Sequence, residues 1–179
     1  MKILIAVVLV ISCVVGADEI SEIREYRNHV MEHVDDEYYL YRTEISINTE
    51  GGVYPALGTY QENITFHWGS EGGYKWLVLV TWTGRYASRR EYGEILYIEP
   101  GPSWEDGTEE VVFQYVSSCG WDNSDTEYRW WYTDGELLQS SGSATYPDEV
   151  VEFIPEDPEE YEYTYSPEEM LDMFYMIHS

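Results

Sequence analysis

The chain has 179 residues, 44% of them hydrophobic and 16% aromatic, which suits one globular domain and excludes a disordered tail protein. Nine Lys and Arg stand against 35 Asp and Glu, a formal charge of −26, and a field of that sign repels phosphate backbones. Sequence-independent nucleic-acid binding is thereby excluded, and two cysteines exclude both a disulfide-dense scaffold and a Cys-rich zinc module.

Residues 1–17 carry a targeting pattern. Lys2 is followed by an apolar run from Ile3 to Ile11, then by small residues, and no charge returns until Asp18. That is the layout of a secretory signal, and 15 uncharged residues are fewer than the ~20 a spanning helix needs. Val15-Gly16-Ala17 offers small residues to a signal peptidase. Val10-Ile11-Ser12-Cys13 resembles a bacterial lipobox, which would leave a lipid anchor at Cys13 as the membrane attachment. The apolar stretch before Cys13 is short for a lipobox, so the expected mature chain begins at Asp18. The expected location is secreted, or on the extracytoplasmic cell surface. Cleavage leaves Cys119, which ends an apolar strand pattern and is expected to be buried and inert.

The remainder, 18–179, reads as one acidic, aromatic-rich domain. Residues 18–35 form an amphipathic helix, with Ile20, Ile23, Val30, Met31 and Val34 on one stripe. The period then changes to two: Tyr39, Tyr41, Thr43, Ile45 and Ile47 alternate with Leu40, Arg42, Glu44 and Ser46, and Tyr60, Ile64, Phe66 and Trp68 alternate with Gln61, Asn63, Thr65 and His67. Residues 74–83 are apolar on both faces and predict an interior strand, with Trp76, Val78, Val80 and Trp82 on one face and Leu77 and Leu79 on the other. Further strands are expected at 92–98, 110–117, 127–133, 136–140 and 149–154. Turn chemistry joins them at Glu50-Gly51-Gly52, Glu71-Gly72-Gly73, Asp106-Gly107 and Asp134-Gly135. Residues 148–165 form an acidic strap of Pro and Tyr, and Ser166-Pro167-Glu168-Glu169 caps a short helix with Met170, Phe174 and Ile177 on its buried stripe. The order predicts an α+β fold: an antiparallel meander of seven or eight strands, curved, with a helix at each end packed on it. An NTF2-like cone and a lipoprotein-type half-barrel both fit that order as architectures.

Several segments carry candidate chemistry. His29-Val30-Met31-Glu32-His33 matches H-x-x-E-H and so resembles, over five residues, the zinc-site pattern of inverzincin peptidases. The resemblance implies a divalent cation on His29 and His33 with Glu32 as base, and hence a metal-dependent hydrolase as one alternative. Asp122 and Asp125 lie in a second oxygen-rich segment after Trp121 that suits a cation in a loop. Seven Trp and 18 Tyr are an excess for a domain of this size, and Trp121, Trp130, Trp131 and Tyr132 are the candidate stacking residues for a sugar or an apolar ligand. Asn63-Ile64-Thr65 is a glycosylation sequon on the polar face of its strand.

No catalytic constellation is complete, so the expected function is non-enzymatic: binding or self-assembly at the cell surface. Partners would be surface components, a sugar or apolar ligand, or copies of the chain itself. The acids are spread along the chain, which indicates a saline or cation-rich medium rather than one basic partner. Salt should therefore raise the melting temperature from ~10 mM sodium chloride, where the Debye length is ~30 Å, towards 1 M, where it is ~3 Å. A melting temperature that is flat or falling over that range, on chelator-treated protein, would reject this account.

Overall fold

The computed structural model describes residues 2–36, 40–49, 60–85, 89–98, 109–120, 124–155, 158 and 165–179, with side chains described from Ala17 on except at 48, 49 and 60. Helix α1 (Lys2–His33) leads into strands β1 (Tyr41–Thr49), β2 (Tyr60–Glu71), β3 (Tyr74–Arg85) and β4 (Arg89–Tyr97). Strands β5 (Val111–Gly120), β6 (Asp125–Thr133), β7 (Glu136–Thr145) and β8 (Val150–Phe153) follow, and α2 (Pro167–His178) ends the chain. The eight strands pair in sequence order as one antiparallel sheet, the expected α+β meander. The apolar stretch 3–17 and the amphipathic segment form one continuous helix, so the Ala17–Asp18 junction lies inside α1. Among the described residues no helix is long and apolar enough to cross a membrane.

Two of the turns are visible in backbone geometry. Gly72 and Gly73 have φ of 62° and 90°, and Asp134 and Gly135 have 50° and 75°. Paired positive φ values match the right-handed twist of the flanking strands, which is why Gly-Gly and Asp-Gly close these hairpins. The turns at 50–52 and 106–107, Tyr39, and residues 156, 157 and 159–164 of the 148–165 strap lie outside the described residues.

Each face of the sheet carries its own core and its own helix. Ile64, Phe66, Leu77, Val80, Trp82, Ile95, Tyr97, Val116 and Trp130 pack with Met170 and Phe174 of α2. Leu40, Val78, Leu79, Leu96, Val112, Phe113 and Trp131 pack with Ile20 and Val30 of α1 on the other face. Strand β3 is buried on both faces as expected, but its faces differ from strict alternation. Leu77, Val80 and Trp82 belong to the α2 side, and Val78 and Leu79 to the α1 side. The cause is a bulge: Trp68 pairs with Leu77 and His67 with Leu79, so Val78 is an extra residue. One inserted residue moves everything beyond it to the opposite face.

The cap of α2 is the one expected. The Ser166 hydroxyl accepts from the Glu169 amide at 3.1 Å, and the Glu169 carboxylate accepts from the Ser166 amide at 3.0 Å. Met170 and Phe174 are buried, but Ile177 is 40% exposed, a correction to its place on the stripe. The inward position of the last turn is taken by His178, four residues after Phe174. Its ring lies 4.7 Å from both Trp68 and Phe174, Nε2 is 3.1 Å from the Thr43 hydroxyl, and Lys75 donates to its carbonyl at 2.9 Å. Cys119 is also a correction: it is exposed, near the end of β5, where pairing with Arg90 and Asp125 holds it at the rim of the sheet.

His67, on the α1 side of β2, is 5% exposed and its Nδ1 has no hydrogen-bond partner among the described residues. Burial, and then the charge of Arg42, lower its pKa from 6.5 to about 4. The unfolded chain therefore binds a proton that the folded chain refuses between those values, so stability is full above pH 6.5 and falls as pH drops towards 4. The loss between pH 7 and 5 is about 2 kcal/mol. His67→Met should abolish this increment and raise stability at neutral pH, as measured by urea unfolding at both pH values. Equal pH dependence in the two proteins would refute it.

Candidate functional site

A cleft of about 600 Å³ opens between α1 and the face of β4, β5 and β6. Ile23, Arg24, Arg27 and Asn28 contribute from the helix, and Tyr92, Glu94, Phe113, Tyr115, Arg129 and Trp131 from the strands. The sequence places these residues by simple periodicity. Arg27 is four residues after Ile23 and three before Val30, so it falls on the helix stripe that faces the sheet. Tyr92 and Glu94 share the face of Leu96 by the two-residue period of β4, and the register aligns Leu96, Phe113 and Trp131 across three strands.

The Arg27–Glu94 pair docks the helix. Nε and Nη2 of Arg27 donate to the two carboxylate oxygens of Glu94 at 2.7 Å each, a bidentate fork. The Glu94 side chain is 3% exposed and that of Arg27 30%. Tyr92 adds a third donor to Glu94 at 2.6 Å, and Tyr26 reaches over the sheet to the Tyr97 carbonyl at 3.0 Å. Across the cleft, Arg129 pairs with Glu127 at 2.5 Å, and Tyr115 donates to the same carboxylate at 3.1 Å.

Each guanidinium also lies over an aromatic ring. Arg24 is 5.4 Å from the centroid of Trp131, Arg27 is 5.5 Å from Phe113, and Arg129 is 5.3 Å from Tyr115. Arg24 differs from the other two in having no ion pair among the described residues. Burial, then the adjacent Glu94, pushes the Tyr92 phenol well above its ordinary range. Burial and the charge of Glu127 raise that of Tyr115 as well. Both phenols stay protonated at neutral pH and serve as hydrogen-bond donors, not as bases.

Three comparisons bear on kinship. The chain matches no protein-family model, no curated protein and no solved structure. The site is therefore read from its own residues.

The candidates taken from the sequence fall in several places. Trp130 is fully buried in the core under α2, where its ring stacks with Tyr128 at 5.7 Å, so it is no stacking platform. Trp131 is 3% exposed and belongs to the α1-side core, yet it forms part of the cleft wall. Tyr132 is half-buried against the α2-side core, and Trp121 and Asp122 lie outside the described residues. Adjacent residues in a strand point to opposite faces, which is why the Trp130-Trp131 pair is divided between two cores.

His29 and Glu32 are exposed on α1 and His33 is half-buried. The two imidazoles lie 4.5 Å apart, and His33 Nδ1 is 2.8 Å from the His29 carbonyl. Asp125 is exposed at the start of β6, opposite Cys119 and Thr145. Among the described residues no group of three or more His, Cys, Asp or Glu side chains is placed to hold a metal ion. Asn63 is exposed on β2, where its side-chain oxygen accepts from Ser46 at 2.8 Å.

The arginines of the cleft are not among the candidate residues that the sequence offers. The signal was present: Arg27 interrupts an apolar stripe, and Glu94 interrupts the matching face of an apolar strand. Two opposite charges at inward positions of two amphipathic elements are a pair waiting for a fold.

Proposed function

We propose that this is an exported, non-enzymatic binding protein whose ligand site is the cleft between α1 and β4–β6. One observation carries the reading: three of the seven arginines of a −26 chain gather with four aromatic residues around one cleft. Scattered surface arginines would instead be expected beside the abundant acids, for screening alone. A cleft whose wall mixes apolar side chains with oriented polar groups is a common form of small-ligand site, and ~300–1,000 Å³ is its ordinary size. The protonated state of Tyr92 and Tyr115 supports recognition over proton transfer. None of His29, Glu32 and His33 lines the cleft, so the hydrolase reading gains nothing from it. The leader-like residues 1–17 support export, and the acidity supports a saline setting.

The test is thermal denaturation of the mature protein with pools of small acids, sugars and amines. At least one pool should raise the melting temperature, and its active component should be recovered unchanged by mass spectrometry. Asn28→Trp, at an exposed helix position on the cleft rim, should block the site without disturbing either core. A shift that persists in Asn28→Trp would move the site elsewhere, and a component converted to product would make the protein an enzyme.

A further inference from the structure

We infer that the cleft is selective for a small monocarboxylate with a flat apolar body, the carboxylate on Arg24 and the body against Trp131 and Phe113. The inference rests on the reading of the cleft as the ligand site and adds the chemical class.

Charge comes first. A chain of −26 holds anions off everywhere that it has no local surplus of cations. The cleft has such a surplus: Arg24, Arg27 and Arg129 face Glu94 within the wall and Glu127 just behind it. Two of the three guanidiniums are already held by those two carboxylates. One cation is left over, which matches a single negative charge on the ligand. A cationic amine would be repelled by that surplus, and a dianion would bring a charge with nothing to balance it.

Geometry then names the residue. Arg24 has no carboxylate partner among the described residues, so its donor fork is available to a carboxylate in bidentate fashion. Its position over the Trp131 ring already restricts the side chain, so less rotamer freedom is lost when an anion binds. The indole beneath Arg24 is a fixed support. Trp131 is 97% removed from solvent in the α1-side core, so its ring does not move. Ile23, Phe113 and Trp131 make the apolar part of the wall, against which a ring or a short chain can pack.

The experiment is a calorimetric titration of the mature protein with phenylacetate, phenylacetamide and phenethylamine, which share one body and differ in charge. Phenylacetate should bind one to one, and phenylacetamide at least about tenfold more weakly, since charge-assisted hydrogen bonds are the strong ones. Arg24→Gln should reduce phenylacetate to the level of the amide, and Arg24→Lys should restore part of the difference. An unchanged melting temperature in Arg24→Gln would show that the fold is intact. If the amide or amine binds as tightly as the acid, and Asn28→Trp abolishes that binding, the cleft is a site but the carboxylate class is wrong. Phenylacetate binding that survives Arg24→Gln likewise overturns the assignment. If none of the three binds and no pool gives a shift sensitive to Asn28→Trp, the cleft itself is not the site.

Discussion

Arg27→Met is expected to destabilise the protein by about 3–5 kcal/mol, the usual cost of stranding one member of a buried ion pair. The loss is asymmetric. Without Arg27, Glu94 keeps a carboxylate that is 3% exposed, with the Tyr92 hydroxyl as its remaining side-chain donor among the described residues. Without Glu94, Arg27 is 30% exposed and water reaches its guanidinium. Glu94→Met should therefore cost less than Arg27→Met. The double substitution should recover most of the loss, because two matched apolar side chains leave no charge to desolvate. Urea unfolding gives all four corners of this cycle, and amide exchange along residues 20–33 reports whether α1 detaches first. A double variant no more stable than Arg27→Met alone would show that the pair is not what seats the helix.

Gly93→Ala tests packing against intrinsic propensity, because the two predict opposite signs. Glycine inside a strand is disfavoured by roughly 0.5–1 kcal/mol relative to alanine, so on propensity the substitution stabilises. In the fold Gly93 is the cross-strand partner of Trp82, and a methyl group there would collide with the Trp82 ring. Trp82 is 1% exposed and walled by the α2-side core, with Tyr165 edge-on at 5.5 Å, so the ring has nowhere to retreat. A loss of about 2–3 kcal/mol is expected, the upper range of overpacking costs. In a Trp82→Leu background the same substitution should cost well under 1 kcal/mol, since the colliding ring is gone. Gly69 beneath Trp76 repeats the arrangement, but Trp76 is only half-buried and can yield, so Gly69→Ala should be the milder change. A stabilising Gly93→Ala would mean that the ring does not lie over the glycine.

Most of the fold was legible because its signals are local. The stripe Ile20, Ile23, Val30 in α1, the Gly72-Gly73 and Asp134-Gly135 turns, and the Ser166–Glu169 cap each depend on residues within a few positions. Strand ends were less legible. Strand β7 runs to Thr145, well past residue 140, because pairing with β6 carries the serine-rich stretch from Ser140 to Ser143 along with it. No alternation marks that segment, and only its neighbour makes it a strand.

By itself the sequence determined the order of elements, the antiparallel meander with its terminal helices, and the acidity that any partner must meet. These follow from hydrophobic period, turn residues and charge count, which need no knowledge of what lies across the sheet. The tertiary structure alone decided which side chains meet. The Val78 bulge redistributed β3 between two cores, Gly93 became the seat of the Trp82 ring, and Arg27 found Glu94 67 positions further along the chain. It also turned the Trp130-Trp131 pair from a surface platform into one core residue and one cleft wall. Contacts of that range depend on strand register, and register is set by the summed packing of both faces, not by any segment of the chain read alone.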